Sequence, residues 1–170
     1  QLYSMADAVI VGKFVGTKGL AAVGATGTIT FLIIGFLMGV TTGVTVLTSQ
    51  KFGAGRMDEM RKTVGNAAIL SAVIAVVMTA VSMLGMHRLL VFMHTPEDIF
   101  DGAYGYIMII CAGIFTQVLY NLVSSILRAL GNSKTPLYFL ILAAGLNIVL
   151  DLVFIIFFHW GAPGAAWATV

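Results

Sequence analysis

Long apolar runs without charge constrain the fold of this chain most strongly. No Asp, Glu, Lys or Arg lies between Lys18 and Lys51, and the stretch between Lys62 and Arg88 is equally uncharged. A helix of roughly 20 apolar residues is enough to cross the hydrocarbon core of a bilayer. Charged residues make up only 9% of the chain, against about 25% in typical soluble domains. These runs predict an all-α membrane protein and exclude a soluble globular domain.

The sequence predicts a polytopic transmembrane bundle of about six helices, forming a single domain over residues 1–170. The predicted segments are about 2–15, 20–51, 60–86, 99–127, 136–158 and 163–170. The first and last are too short to span the bilayer, so we expect both to be truncated parts of longer helices. Thr95-Pro96 and Thr135-Pro136 are typical of helix starts, and Gly131-Asn132 is typical of a helix end.

The distribution of basic residues predicts the orientation of the bundle, because cytoplasmic loops carry an excess of Lys and Arg. The loops near residues 51–62 and 128–135 hold Lys51, Arg56, Arg61, Lys62, Arg128 and Lys134. The opposite side holds Lys13, Lys18 and Arg88. We therefore expect a multi-pass protein of the cell membrane, with the loops near 51–62 and 128–135 in the cytoplasm.

Two acids, Asp7 and Asp151, lie inside segments that are otherwise apolar. A carboxylate at the centre of a membrane helix costs about 2.5–3.5 kcal/mol on insertion scales, so such residues usually mark an ion or proton path. With a rise of about 1.5 Å per residue, both acids are expected roughly 10–12 Å below the outer end of their segments. Two acids at one depth on different helices can form a single site.

Three further polar side chains are expected in the same layer as the acids. Asn147 lies one helical turn before Asp151 and faces the same way, and Thr169 and Tyr106 fall on the outer halves of their segments. Hard cations such as Na⁺ prefer oxygen ligands of these kinds, and the same carboxylates could instead take up a proton. The alternative is that the polar groups only join helices through hydrogen bonds.

Other polar and small residues give weaker indications. Gln117 and Asn121 lie one turn apart on the fourth segment and could line a substrate cavity. The glycines of two consecutive GxxxG units predict close helix packing, with flexing during transport as the alternative; they are Gly35, Gly39 and Gly43.

Several function classes are excluded or disfavoured. The sequence shows no phosphate loop, nucleophile motif or zinc-ligand spacing, so we expect no enzyme and no cofactor apart from Na⁺ as a coupling ion. The net charge of +2 gives no argument for a nucleic-acid partner. The single cysteine, Cys111, is interpreted as a small packing residue, and the histidines at the outer boundary need only solvation.

An ordered set of short motifs gives the chain a family resemblance. The stretches are 6–12 (ADAVIVG), 20–25 (LAAVGA), 50–55 (QKFGAG), 127–132 (LRALGN), 146–151 (LNIVLD) and 164–169 (GAAWAT). Together they resemble the multidrug and toxic compound extrusion (MATE) family of secondary transporters. The resemblance extends over essentially the whole chain.

The resemblance implies a twelve-helix transporter built from two six-helix lobes, of which this chain is similar to the first. It implies export of organic cations and other amphipathic compounds in exchange for H⁺ or Na⁺. Asp7, Asn147, Asp151 and Thr169 match the cation site of the amino-terminal lobe, and Tyr106 matches a tyrosine close to it. Asn121 matches a polar residue of the central cavity. The implied partners are a small organic substrate, the lipid bilayer and the carboxy-terminal lobe of the same protein.

Three functional hypotheses follow. The first is a cation-coupled antiporter for drugs or other amphipathic compounds. The second is a flippase of the same superfamily for lipid-linked or polar metabolites. Several Lys or Arg residues inside the spans would favour this hypothesis. The third is a membrane assembly protein that transports nothing and uses its polar groups only to join helices.

Overall fold

A computed structural model describes the backbone of residues 2–170 and the side chains of residues 6–170; Gln1, part of the predicted domain, lies outside the described residues. Every regular element in residues 2–170 is helical, which confirms the predicted fold class. The elements are α1 (Leu2–Phe14), α2 (Thr17–Gly53), α3 (Met57–Phe92), α4 (Glu97–Ala112), α5 (Ile114–Ala129), α6 (Lys134–Leu152), a π-helical segment (Val153–Phe157) and α7 (Gly161–Thr169).

The spans agree with the predicted segments except in the fourth. Helices α2 and α3, and α6 with its π-helical segment, are each long and apolar enough to cross a membrane. The predicted single helix at 99–127 is wrong in this respect: α4 and α5 are separate helices that meet at Gly113 with a bend of 43°. A lone glycine within an apolar run does not by itself indicate a break, so the bend could not be predicted from the residues around Gly113.

Helix α6 begins two residues earlier than the Thr135-Pro136 pair predicts. Gly131, with φ of +85°, ends the turn after α5 in a conformation that suits glycine. The Asn132 side chain then accepts a hydrogen bond from the Thr135 backbone N–H (3.1 Å) and donates one to the Thr135 hydroxyl (3.0 Å). Asn132 therefore both follows one helix and stabilises the start of the next.

The core lies between α2, α3, α4 and α7. Helix α4 is central, since it packs against α2, α3 and α7. Ile107 of α4 and Leu90 of α3 are fully buried, as are Ala165 and Ala166 of α7. Small residues on α7 let it approach its neighbours closely, which is how helices gain packing energy in a membrane.

The predicted close packing at the GxxxG units is not found within the chain. The buried face of α2 carries residues such as Ile29, Ile33 and Leu37. Gly35, Gly39 and Gly43 lie on the other side, and a Cβ atom added at any of them would meet no atom within 4 Å. The three glycines do share one face of α2, as their spacing predicts. Periodicity alone does not show whether that face turns toward the core of the lobe or away from it.

Candidate cation site

Helices α1, α6 and α7 meet and bring three of the predicted site residues to one place. Asp7 lies on α1, Asp151 on α6 and Thr169 on α7, and each of these helices packs against the other two. Asp7 is 4% exposed and Asp151 is fully buried. Asn147, one turn before Asp151 on α6, is 6% exposed. The structure therefore brings the two acids together in one layer of the bundle; their depth in the bilayer stays a prediction.

The acids contact each other and α7. The Thr169 hydroxyl donates a hydrogen bond to Asp7 Oδ2 (3.1 Å) and also approaches the Ala165 carbonyl oxygen (2.9 Å). The Asp7 and Asp151 carboxyl groups are neighbours, close enough to share a hydrogen bond once one of them carries a proton. Neither acid forms a salt bridge with any of the described basic side chains.

The cluster leaves several buried polar atoms without a partner. They are Asp7 Oδ1, both carboxylate oxygens of Asp151, and the amide nitrogen and oxygen of Asn147. Burying a charged group without a partner is costly, and two adjacent carboxylates add mutual repulsion. A proton or Na⁺ would neutralise one of the two charges and supply an interaction for the open oxygens. All the open acceptors are oxygens, which suits H⁺ or a hard cation.

The cluster differs from a site built only from strong metal ligands. The described residues contain no group of three or more His, Cys, Asp and Glu side chains that could hold a metal ion. A cation bound here would need the amide oxygen of Asn147 and the hydroxyl of Thr169 beside the two carboxylates. Such a small number of charges favours weak, reversible binding over a structural metal.

Tyr106 lies on a helix next to the one that carries Thr169. It is buried on α4, a helix that packs against α7 but not against α1 or α6 within the described residues. Its closeness to the cation site and its role there stay predictions.

Gln117 and Asn121 lie on α5, a different helix from those that carry the acids. Both are half-buried on α5, which packs against α2, α3, α4 and α6 but not α1 within the described part of the chain. The Asn121 amide nitrogen donates to the Gln117 carbonyl oxygen at 2.8 Å, within the same helix. A role in a substrate cavity stays a prediction for both residues.

Sequence reasoning missed the π-helical segment that follows Asp151. Val153–Phe157 has the wider π-helical turn, and the Phe158 N–H donates to the Val153 carbonyl (3.1 Å). Single π-helical turns inside α-helices often occur at functional sites. The segment leads into an aromatic cluster in which the rings of Phe154 and Trp160 stack with centroids 5.1 Å apart. No sequence pattern distinguishes such a turn from continued α-helix.

The hydrogen bond between Thr169 and Asp7 can be tested directly. We expect Thr169→Val in the full-length protein to raise the cation concentration for half-maximal transport roughly tenfold, because a hydrogen bond to a charged group contributes about 1.5–3 kcal/mol. Cation-dependent uptake into proteoliposomes measures this. Thr63→Val is the matched control, since the Thr63 hydroxyl bonds only the Glu59 carbonyl of its own helix. An equal effect of both variants would contradict the assignment.

The fold and the buried acidic cluster define a lobe of a polytopic membrane transporter. The profile of the MatE family matches residues 1–153. The chain therefore belongs to this family of MATE transporters, a multi-pass plasma-membrane family and not an enzyme family.

The curated relatives carry transporter and multidrug resistance names. A probable multidrug resistance protein YpnP of Bacillus subtilis is 32% identical over 168 residues, covering 99% of this chain and 38% of that protein. A FAD transporter of Shewanella oneidensis is 27% identical over 149 residues, covering 88% of this chain and 33% of that protein. The chain thus spans little more than a third of the length of the relatives it matches.

Solved structures share the fold of the whole chain. Two structures are described as the inward-facing and the outward-facing conformation of a multidrug resistance MATE family transporter of the MOP superfamily. Each is 30% identical, covers 99% of this chain and superposes with a TM-score of 0.93. The matched part is 38% of the first solved chain and 37% of the second.

Proposed function

We propose that this chain is the amino-terminal lobe of an antiporter that exports organic compounds in exchange for H⁺ or Na⁺. The observation that carries the proposal is the set of buried polar atoms without partners on Asp7, Asn147 and Asp151. A protein that needed these groups only to join helices would give each of these buried atoms a hydrogen-bond partner. Open acceptors in a buried acidic pair are what a reversible cation site requires.

The arrangement supports coupling through the packing of three helices. Without a bound cation, the neighbouring Asp7 and Asp151 carboxylates repel each other across the contact between α1 and α6. Cation uptake removes this repulsion and lets the two helices pack more closely. A cation therefore stabilises one arrangement of α1, α6 and α7 over another, and this difference in affinity is what coupling requires.

Most of the lobe would move as one unit in this mechanism. The chain superposes with the same TM-score of 0.93 on neighbours described as inward-facing and outward-facing. The change of access would then take place between this lobe and the remainder of the protein, as in other secondary transporters that rock two halves around a central site. Local adjustment of α1 and α6 would link cation binding to that movement.

Transport driven by imposed ion gradients tests the proposal. Full-length protein in proteoliposomes should move a fluorescent organic cation against its gradient when an opposing Na⁺ or pH gradient is applied. Transport should stop when the ion gradient is collapsed with a matching ionophore. Transport of the same rate with and without either gradient would contradict cation coupling. Protein-free liposomes provide the baseline.

A second cargo class is favoured by one of the relatives. The Shewanella oneidensis relative is named a FAD transporter, so a polar anionic metabolite is the alternative cargo. Against it, every Lys and Arg in this lobe lies between helices or within the first or last six residues of a helix, and none lies deep within a span. Competition of the organic-cation signal by FAD in the same vesicles separates the two. Inhibition by micromolar FAD, with direct FAD uptake, would replace the organic cation as the proposed cargo.

A further inference from the structure

Helix α4 contacts α7 through two glycines. A Cβ atom added at Gly105 would lie 3.2 Å from Pro163 Cγ. A Cβ atom at Gly113 would lie 2.4 and 2.6 Å from the two methyl carbons of Val170 and 3.0 Å from its Cβ. Real Cβ atoms do not approach other atoms so closely, so even an alanine at position 113 would force one of its neighbours to move.

Space, and not backbone conformation, accounts for the glycine at position 113. Its φ of −77° and ψ of −5° lie in a region that residues other than glycine adopt without strain. The missing side chain therefore matters only because the Val170 side chain occupies the place where it would be. A smaller residue at position 170 should make a side chain at 113 acceptable.

The residues beside Gly113 are more deeply buried than the residues they meet at the end of α7. Cys111 and Ile114 on either side of Gly113 are buried in the core, and the Thr79 hydroxyl of α3 makes a long hydrogen bond to the Cys111 carbonyl oxygen (3.4 Å). Thr169 and Val170 are only half-buried, so the end of α7 is the part that would give way to a side chain at 113.

The end of α7 that would move carries a residue of the cation cluster. Val170 directly follows Thr169, whose hydroxyl donates to Asp7 Oδ2. At 3.1 Å this bond is already at the long end for hydroxyl donors. A shift of a few tenths of an ångström at the end of α7 would therefore weaken it or break it.

We propose that Gly113 is a positioning residue of the cation site, a role that rests on the function proposed above. The absence of a side chain at the α4–α5 bend lets Val170 sit against it, and this contact sets the distance between Thr169 and Asp7. Gly113 touches neither the cation nor the acids and acts only through α7.

The test is Gly113→Ala in the full-length protein, assayed by cation-dependent transport in proteoliposomes. We expect the cation concentration for half-maximal transport to rise roughly tenfold, the lower end of effects seen for residues that orient ion ligands. The rate at saturating cation should change much less. Adding Val170→Gly to Gly113→Ala removes every Val170 atom that the new Cβ would meet and should restore the half-saturating concentration. Gly85→Ala is the control, since a Cβ atom there would meet nothing within 4 Å.

A folded Gly113→Ala variant with the half-saturating concentration of the parent would overturn the proposal, and so would a loss that Val170→Gly does not restore. If Gly113→Ala alone does not accumulate, the double variant decides: parental cation dependence supports the proposal, and failure to fold overturns it. A parent protein indifferent to Na⁺ and pH refutes both this role and the proposed function. A cation-dependent parent with an unaffected Gly113→Ala variant refutes only the positioning role.

Discussion

Asp151→Asn should abolish ion-driven export by the full-length protein while leaving its membrane insertion intact. Asp151 is fully buried, and neither of its carboxylate oxygens has a partner. Asparagine has nearly the same shape and keeps one oxygen ligand. Because its amide is neutral, it can neither take up a proton nor balance the charge of a bound cation. We expect the gradient-driven rate to fall at least roughly 100-fold, the upper end of losses for residues that only orient ion ligands.

The measurement is uptake of an organic cation into proteoliposomes under an imposed Na⁺ or pH gradient. Asp101→Asn is the matched control, because Asp101 is an exposed acid in the first turns of α4. It removes the same charge without touching the cluster and should transport at the parental rate. Undiminished, ion-dependent transport by Asp151→Asn would move the coupling site elsewhere and leave Asp151 as a residue that joins helices.

Ile107→Ala should produce the largest loss of stability of any single truncation discussed for this lobe. Ile107 is fully buried on the central helix α4, so removing its side-chain carbons leaves a cavity between α2, α3 and α7. Buried Ile→Ala changes typically cost about 2–5 kcal/mol. Lost packing contacts matter especially here, because van der Waals packing is a main source of helix association in a bilayer.

Thermal unfolding of the detergent-solubilised full-length protein measures the effect. Ile141→Ala on α6 is the matched control, since the Ile141 side chain is 61% exposed. That substitution should change the free energy of unfolding by less than about 0.5 kcal/mol, as is usual at surface positions. Similar losses for both variants would show that α4 is not the centre of the packed core.

The meeting of the two buried acids could be predicted from the sequence by simple geometry. Counting residues from the outer ends of the first and fifth segments placed Asp7 and Asp151 at one depth, and the structure places their carboxyl groups side by side. This worked because the bilayer fixes the direction and length of each helix, so that distance along the chain converts into depth. Asn147 followed from helical periodicity alone.

Contacts across the bundle were harder to predict. The GxxxG units of α2 indicated close packing, yet these glycines face away from the core described here. Gly113 carried no special signal, yet a Cβ atom added there, between α4 and α5, would lie only 2.4 Å from a methyl carbon of Val170. A pattern of small residues allows close packing against any neighbouring helix. Which helix becomes the neighbour depends on how all the helices are arranged.

Composition, motifs and distances along single helices predicted that this chain crosses a membrane as helices, that two acids lie at a common depth, and that its motifs resemble those of MATE transporters. The hydrogen bond from Thr169 to Asp7 and the bend between α4 and α5 at Gly113 could be seen only in the tertiary structure. Each of these depends on which helices become neighbours, and this is set by the combined packing of all seven α-helices in residues 2–170.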